Sequence, residues 1–159
     1  MRKDRLLERF LRYVAISSQS STKVKTVPSS DGQWDMARLL AKELTALGLV
    51  DVEISDYAVV TAKLPSNLPE GVKVPTVGWC AHMDTVDAGL SPDIHPQVIK
   101  NYQGGDICLN KEKDIWMRVA EHPVVERYIG DDLVVTDGTS VLGADNKSAI
   151  ANVMTALEI

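Results

Sequence analysis

Trp79 to Asp87 read WCAHMDTVD, placing a histidine two positions ahead of an aspartate at the close of an apolar run. Side chains alternate faces along a strand, so Cys80, His82 and Asp84 share one side wherever the strand persists that far. In open α/β sheets, ligands gather at the carboxyl ends of strands. A carboxylate beside an imidazole fixes the ring's tautomer and orientation, leaving the other nitrogen free for a metal. The plainer alternative is that His82 closes the strand and Asp84 opens a turn with Thr85. A second stretch, VLGADNKSAIA (Val141 to Ala151), reads as strand, tight turn, acidic residue and helix, which puts Asp145 at another strand end. Aspartate is also among the best helix N-caps, so Asp145 alone carries no more weight than a cap. Taken together, His82, Asp84 and Asp145 form a nitrogen and oxygen set suited to zinc, cobalt or manganese.

The elements that must position this set are legible in outline. Leu6, Leu7, Phe10, Leu11 and Val14 recur at helical spacing, which predicts a first helix. SSDGQWDMARLLAKELTALG predicts a second, with serines as caps, an apolar face of Met36, Leu40, Leu44 and Leu47, and Gly48 as its stop. DVEIS alternates with period two, while YAVVTAKL and VPTVGWCAH are rich in β-branched and apolar residues. LVVTDGTSVLGA holds Asp137 and Gly138 between apolar runs, a strong hairpin signal. At least five strands are expected, several covered on both faces, in an α/β layer structure. Residues 85 to 119 show prolines, glycines and polar residues without clear periodicity, and are expected to form a long functional loop. DNKSAIANVMTALEI reads as a helix with no stop signal after it, as if the chain were cut.

Composition narrows the function classes. The chain has 159 residues, 45% of them hydrophobic and 25% charged, enough for one compact domain with a core. Its net charge is -5 and its basic residues are scattered, so neither nucleic acid nor an anionic membrane is an expected partner. The N-terminus is interrupted by Asp4, Glu8, Arg9 and Arg12 and is no signal peptide; no apolar run reaches membrane-spanning length. Two cysteines, Cys80 and Cys108, without paired spacing make no disulfide framework, in keeping with a cytoplasmic location.

Other candidates fall away. His95 and His122 precede prolines and read as surface residues. Cys80 reads as a small buried hydrophobe. Trp34, Trp79 and Trp116 are too dispersed for a stacking platform, and GTSVLGA lacks the lysine of a phosphate loop.

AHMDT followed about sixty residues later by GADNKSAIA resembles the zinc-dependent M20 metallopeptidase family. NYQGGDICLN and LVVTDGTSVLGADNK are similar to members of that family acting on tripeptides, and the likeness runs along essentially the whole chain. The resemblance implies a three-layer α/β/α fold with a mixed sheet, as in zinc exopeptidases. Residues 1–159 would be the N-terminal part of the catalytic domain. The rest of that domain, and an inserted domain for dimerisation and closure over substrate, would lie beyond Ile159. It further implies two zinc ions per complete active site, with His82 a ligand to one, Asp145 bridging both, and Asp84 the catalytic aspartate that orients His82. Short peptides, tripeptides in particular, would be the substrates, and the complete protein a homodimer. Asn146 departs from the second aspartate that many members carry, removing one negative charge beside the metals. The glutamate general base and the remaining ligands would also lie beyond Ile159, leaving this segment inactive alone. Two alternatives stay open: a related amidohydrolase of aminoacylase or carboxypeptidase type, and a non-catalytic metal-binding α/β module.

Overall fold

The structure is a computed structural model that describes residues 2 to 158. The chain divides into two compact units: one takes the residues up to Asp87 together with those from Ala144 onward, the other Ala88–Gly143.

The first unit is built on three helices and a hairpin. Helix α1 (Arg2–Val14) and helix α2 (Asp31–Ala46) fall where the apolar spacing predicts them, and α3 (Ala144–Ala156) supplies the third. Their apolar faces meet in a core of Tyr13, Met36, Leu40, Leu44, Ile150, Ala151 and Met154. Ser30 occupies the N-cap position of α2 with extended backbone, although its hydroxyl makes no cap bond. Gly48, at a φ of 83°, turns the chain away after the helix, a conformation open to glycine at little cost. Strands β1 (Val50–Ile54) and β2 (Val60–Lys63) then pair antiparallel and pack on α2.

A polar lattice ties the helices on their outer side. The buried Arg9 donates from Nη2 to Glu158 Oε1 at 2.5 Å, from Nη1 to Thr155 Oγ1 at 2.9 Å and from Nε to Glu43 Oε2 at 3.3 Å. Tyr13 adds a bond from its hydroxyl to Glu43 Oε2 at 2.6 Å.

Two expectations for the first unit need correction. The run VPTVGWCAH forms no strand: its backbone has no ladder, and Val74, Val77 and Trp79 are exposed. A sequence apolar at most positions becomes a strand only when neighbours take up its backbone groups and cover both of its faces. No such neighbours pair with it among the described residues. Cys80, expected to be buried there, is correspondingly an exposed free thiol. The run borders an open cavity of about 1430 Å³ whose walls include Leu40, Leu44, Val60 and Ile150.

The second unit corrects two more. Residues 85 to 119 are not one long loop, since they contain β3 (Pro96–Ile99), β4 (Ile107–Asn110) and β5 (Ile115–Met117). A 3-10 helix (Pro123–Tyr128) and strand β6 (Leu133–Thr136) follow. β4 pairs antiparallel with β5, and Tyr102, Ile107 and Val125 form a small core. The hairpin expected around Asp137 and Gly138 is replaced by a longer-range pairing of β6 with β3, from Pro96 opposite Thr136 to Ile99 opposite Leu133. The turn itself exists, and side chains hold it: Thr139 donates to Asp137 Oδ1, and Thr136 Oγ1 donates to the Ser140 carbonyl. Residues 140–143 leave it without forming a strand.

The fold is α/β, as expected. Among the described residues the implied mixed sheet is represented by three two-stranded antiparallel sheets and one isolated parallel bridge, Gln19 with Thr85. No helix among them is long and apolar enough to cross a membrane.

Candidate metal centre

His82, Asp84 and Asp145 come together in the first unit without a strand to deliver the first two. A backbone clamp serves instead. Thr85 N donates to the Ser18 carbonyl at 3.0 Å and Ser20 N to the Thr85 carbonyl at 2.9 Å, while Ser18 Oγ donates to the Met83 carbonyl at 2.6 Å. Thr85 is almost fully buried in consequence. Segment 83–85 is thus fixed to segment 18–20, although the residues before it run exposed.

From this anchor Asp84 reaches back to His82. The imidazole Nδ1 lies 3.1 Å from Asp84 Oδ1 and 3.0 Å from the Asp84 carbonyl oxygen, so both partners at Nδ1 are acceptors and the ring carries its hydrogen there. The second carboxylate oxygen, Oδ2, accepts from Ser20 Oγ at 2.5 Å, at the short limit for a hydroxyl donating to a carboxylate.

Asp145 meets the other side of the ring. It stands at the start of α3 in non-helical backbone, φ -88° and ψ 103°, as does Asn146 at φ -120° and ψ 22°, so regular helix begins only after Asn146. Its carboxylate is largely exposed, and Oδ1 lies 3.1 Å from His82 Nε2. Just beyond, Lys147 is fully buried and donates to the Ile16 carbonyl, tying the head of α3 to the chain after α1; burial pushes its ammonium down to about 8.

The chemistry of this arrangement follows from counting lone pairs. With Nδ1 protonated and facing Asp84, neutral His82 presents a lone pair at Nε2, and Asp145 Oδ1 presents another to the same point. Two acceptors this close require a shared proton or a cation between them. Burial alone would lower the His82 pKa, but the Asp84 carbonyl and the Asp145 and Asp84 carboxylates outweigh it and raise it above the usual imidazole value. A zinc ion fits the same position, since two ligands bonded at about 2.0 Å in a tetrahedral site stand about 3.3 Å apart. Among the described residues no group of three or more His, Cys, Asp or Glu is placed to hold a metal.

The two histidines set aside from the sequence belong to the second unit. His95 lies in the second unit, exposed, with Nδ1 3.3 Å from Asp137 Oδ2, and His122 is exposed at the start of the 3-10 helix. Sequence reasoning missed Ser18 and Ser20. They belong to a serine-rich run, SSQSS, whose spacing gives no sign that one hydroxyl would reach a carboxylate 64 positions on.

No family model matches the chain. It is 52% identical over 155 residues to a peptidase T-like protein of Yersinia pestis, and 51% identical over the same length to one of Rhizobium meliloti. It is 45% identical over 155 residues to peptidase T of Geobacillus kaustophilus. Each of these matches takes in 98% of this chain and 37% of the relative. The chain therefore belongs to the family of peptidase T and peptidase T-like proteins, spanning somewhat over a third of their length.

Proposed function

We propose that this chain supplies one part of the active site of a dinuclear zinc aminopeptidase, which removes the N-terminal residue from tripeptides. The observation that carries the reading is the meeting of His82 Nε2 and Asp145 Oδ1 at 3.1 Å, where a proton or a metal ion can be shared, with Asp84 behind the ring. His82 would hold one metal through Nε2, and Asp145, with two carboxylate oxygens and an exposed side chain, would bridge to a second. Zinc, when bound, supplies an acidified water and polarises the scissile carbonyl. Asp84 keeps the Nδ1–H tautomer, so that the lone pair at Nε2 faces the metal rather than solvent. The glutamate base and the other ligands implied by the resemblance have no counterpart in these residues, and we ascribe no turnover to this segment alone.

Short peptides are the substrates in this reading. Two free cysteines support a reducing compartment, the cytoplasm. By the same resemblance the complete protein acts as a homodimer.

The reading is tested by titrating zinc into the 159-residue chain and its His82→Ala variant by calorimetry, beside an assay of the complete peptidase on a free and an N-acetylated tripeptide. Zinc binding lost in the variant, and cleavage of the free peptide only, are expected. Cleavage of the acetylated peptide at an equal rate would refute an aminopeptidase, and zinc binding unchanged by the variant would remove His82 from the metal site.

A further inference from the structure

We propose that Ser20 is a positioning residue for Asp84, and through it for the metal-binding nitrogen of His82. The inference rests on the reading above, in which Asp84 orients the imidazole. An aspartate carboxylate rotates freely about its last torsion, where the energy surface is broad and two-fold. Left alone, Asp84 could turn either oxygen, or neither, toward the ring. In the structure both are assigned: Oδ1 faces His82 Nδ1 and Oδ2 accepts from Ser20 Oγ. The serine has a single hydroxyl proton, and giving it to Oδ2 leaves Oδ1 to the imidazole N–H.

The hydroxyl can set this orientation because its own backbone is fixed. Ser20 N donates to the Thr85 carbonyl, and Thr85 N donates to the Ser18 carbonyl, forming the parallel bridge of Gln19 with Thr85. Gln33 Nε2, from α2, reaches the Gln19 carbonyl at 3.3 Å and steadies the segment from its other side. Ser20 and Asp84 therefore sit on two chain segments locked at their backbones, and the bond between their side chains links those segments next to the metal site. Alanine at position 20 would leave the backbone clamp whole and release only the carboxylate. Threonine keeps the hydroxyl.

The test is made in the complete, zinc-loaded peptidase with Ser20→Ala, Ser20→Thr, Asp84→Ala and the double variant Ser20→Ala with Asp84→Ala. Tripeptide kcat and KM are measured, together with zinc affinity by competition against a chelator. Ser20→Ala should lower kcat about tenfold with KM within about twofold, and weaken zinc binding a few-fold, at the mild end of the range for groups that support a ligand. Ser20→Thr should restore both. In the double variant the serine change should add nothing, since the group it positions is gone. A wild-type kcat and zinc affinity in Ser20→Ala, with Asp84→Ala strongly impaired, would overturn the role of Ser20 and leave that of Asp84 intact. Fully additive losses would likewise overturn it, marking a structural contribution. An unimpaired Asp84→Ala would overturn the underlying reading and this inference together.

Discussion

His82 Nε2 lies 3.1 Å from Asp145 Oδ1 across a separation of 63 residues. The approach joins a segment clamped to residues 18–20 with the first residues of α3, two parts of the chain that meet because α1 and α3 pack together. Helix packing thus sets the distance at which a nitrogen and an oxygen converge, and nothing local to either residue would do so.

The first consequence is for Asp145. Replacing it with alanine removes the oxygen that faces His82 and the only group proposed to reach both metals. In the complete peptidase, Asp145→Ala is expected to cut bound zinc well below the wild-type content after gel filtration and to abolish tripeptide cleavage. A variant that keeps full zinc and full rate would exclude the bridging role.

Asp84 should behave differently. It touches the ring at Nδ1, and its loss leaves Nε2 in place while freeing the imidazole to rotate or change tautomer. Asp84→Ala should therefore lower kcat by about 100-fold while weakening zinc affinity by about tenfold or less. Kinetics and chelator competition on the same preparation decide the matter. Equal losses in the two quantities would mean that Asp84 acts as a ligand.

How much of this was legible in the sequence depended on whether a signal was local. The helices were, because Met36, Leu40 and Leu44 declare their shared face by spacing alone and do pack inward. His82, Asp84 and Asp145 were legible as residue types at suggestive positions, and the structure brings them together. The route was not: the expected strand at 74–82 is unpaired, since pairing depends on neighbours that a single stretch does not encode. Strands β3 to β5 are three or four residues long, too short for a period of two to stand out. The Asp137–Gly138 signal named a turn correctly and its partner strand wrongly, because β6 found β3 more than thirty positions earlier. Ser20 left no trace, as one hydroxyl in a serine-rich run looks like any other.

The Arg9 lattice makes stability depend on pH in a stated direction. Hydrogen bonds from Arg9 and Arg5 hold the Glu158 carboxyl below the usual glutamate value. A carboxylate whose pKa is depressed on folding stabilises the folded state above its unfolded pKa, and the contribution is lost as pH falls through the lower, folded value. The urea midpoints of the chain and its Glu158→Gln variant should differ most near neutrality and converge at acid pH, below about 4. A constant gap across that range would show that the pair contributes no proton-linked stability. Arg9→Met removes one cation from the lattice but leaves Glu158 paired with Arg5 and Glu43 with Arg12 and Tyr13, so it is expected to cost about 1 kcal/mol, well under the loss typical of a buried pair whose partner is left alone.

Gly32 offers a test in which local propensity and tertiary packing predict opposite signs. It lies in the first turn of α2, where alanine would ordinarily gain up to about 1 kcal/mol over glycine. Here a Cβ would stand 1.5 Å from the Ser17 carbonyl oxygen and 2.7 Å from its carbon, a clash with backbone that no side-chain rotation relieves. Gly32→Ala must push the helix and residue 17 apart, at a cost expected to reach about 3 kcal/mol in a urea melt. The displacement does not stop at Ser17. Ser18 and Ser20 follow directly and hold Met83, Asp84 and Thr85 through the backbone clamp, so the same variant should also weaken zinc binding in the complete peptidase. A destabilised variant with wild-type zinc affinity would show that the clamp moves as one body with its metal ligand, whereas a stabilised one would place α2 and Ser17 farther apart than the structure has them.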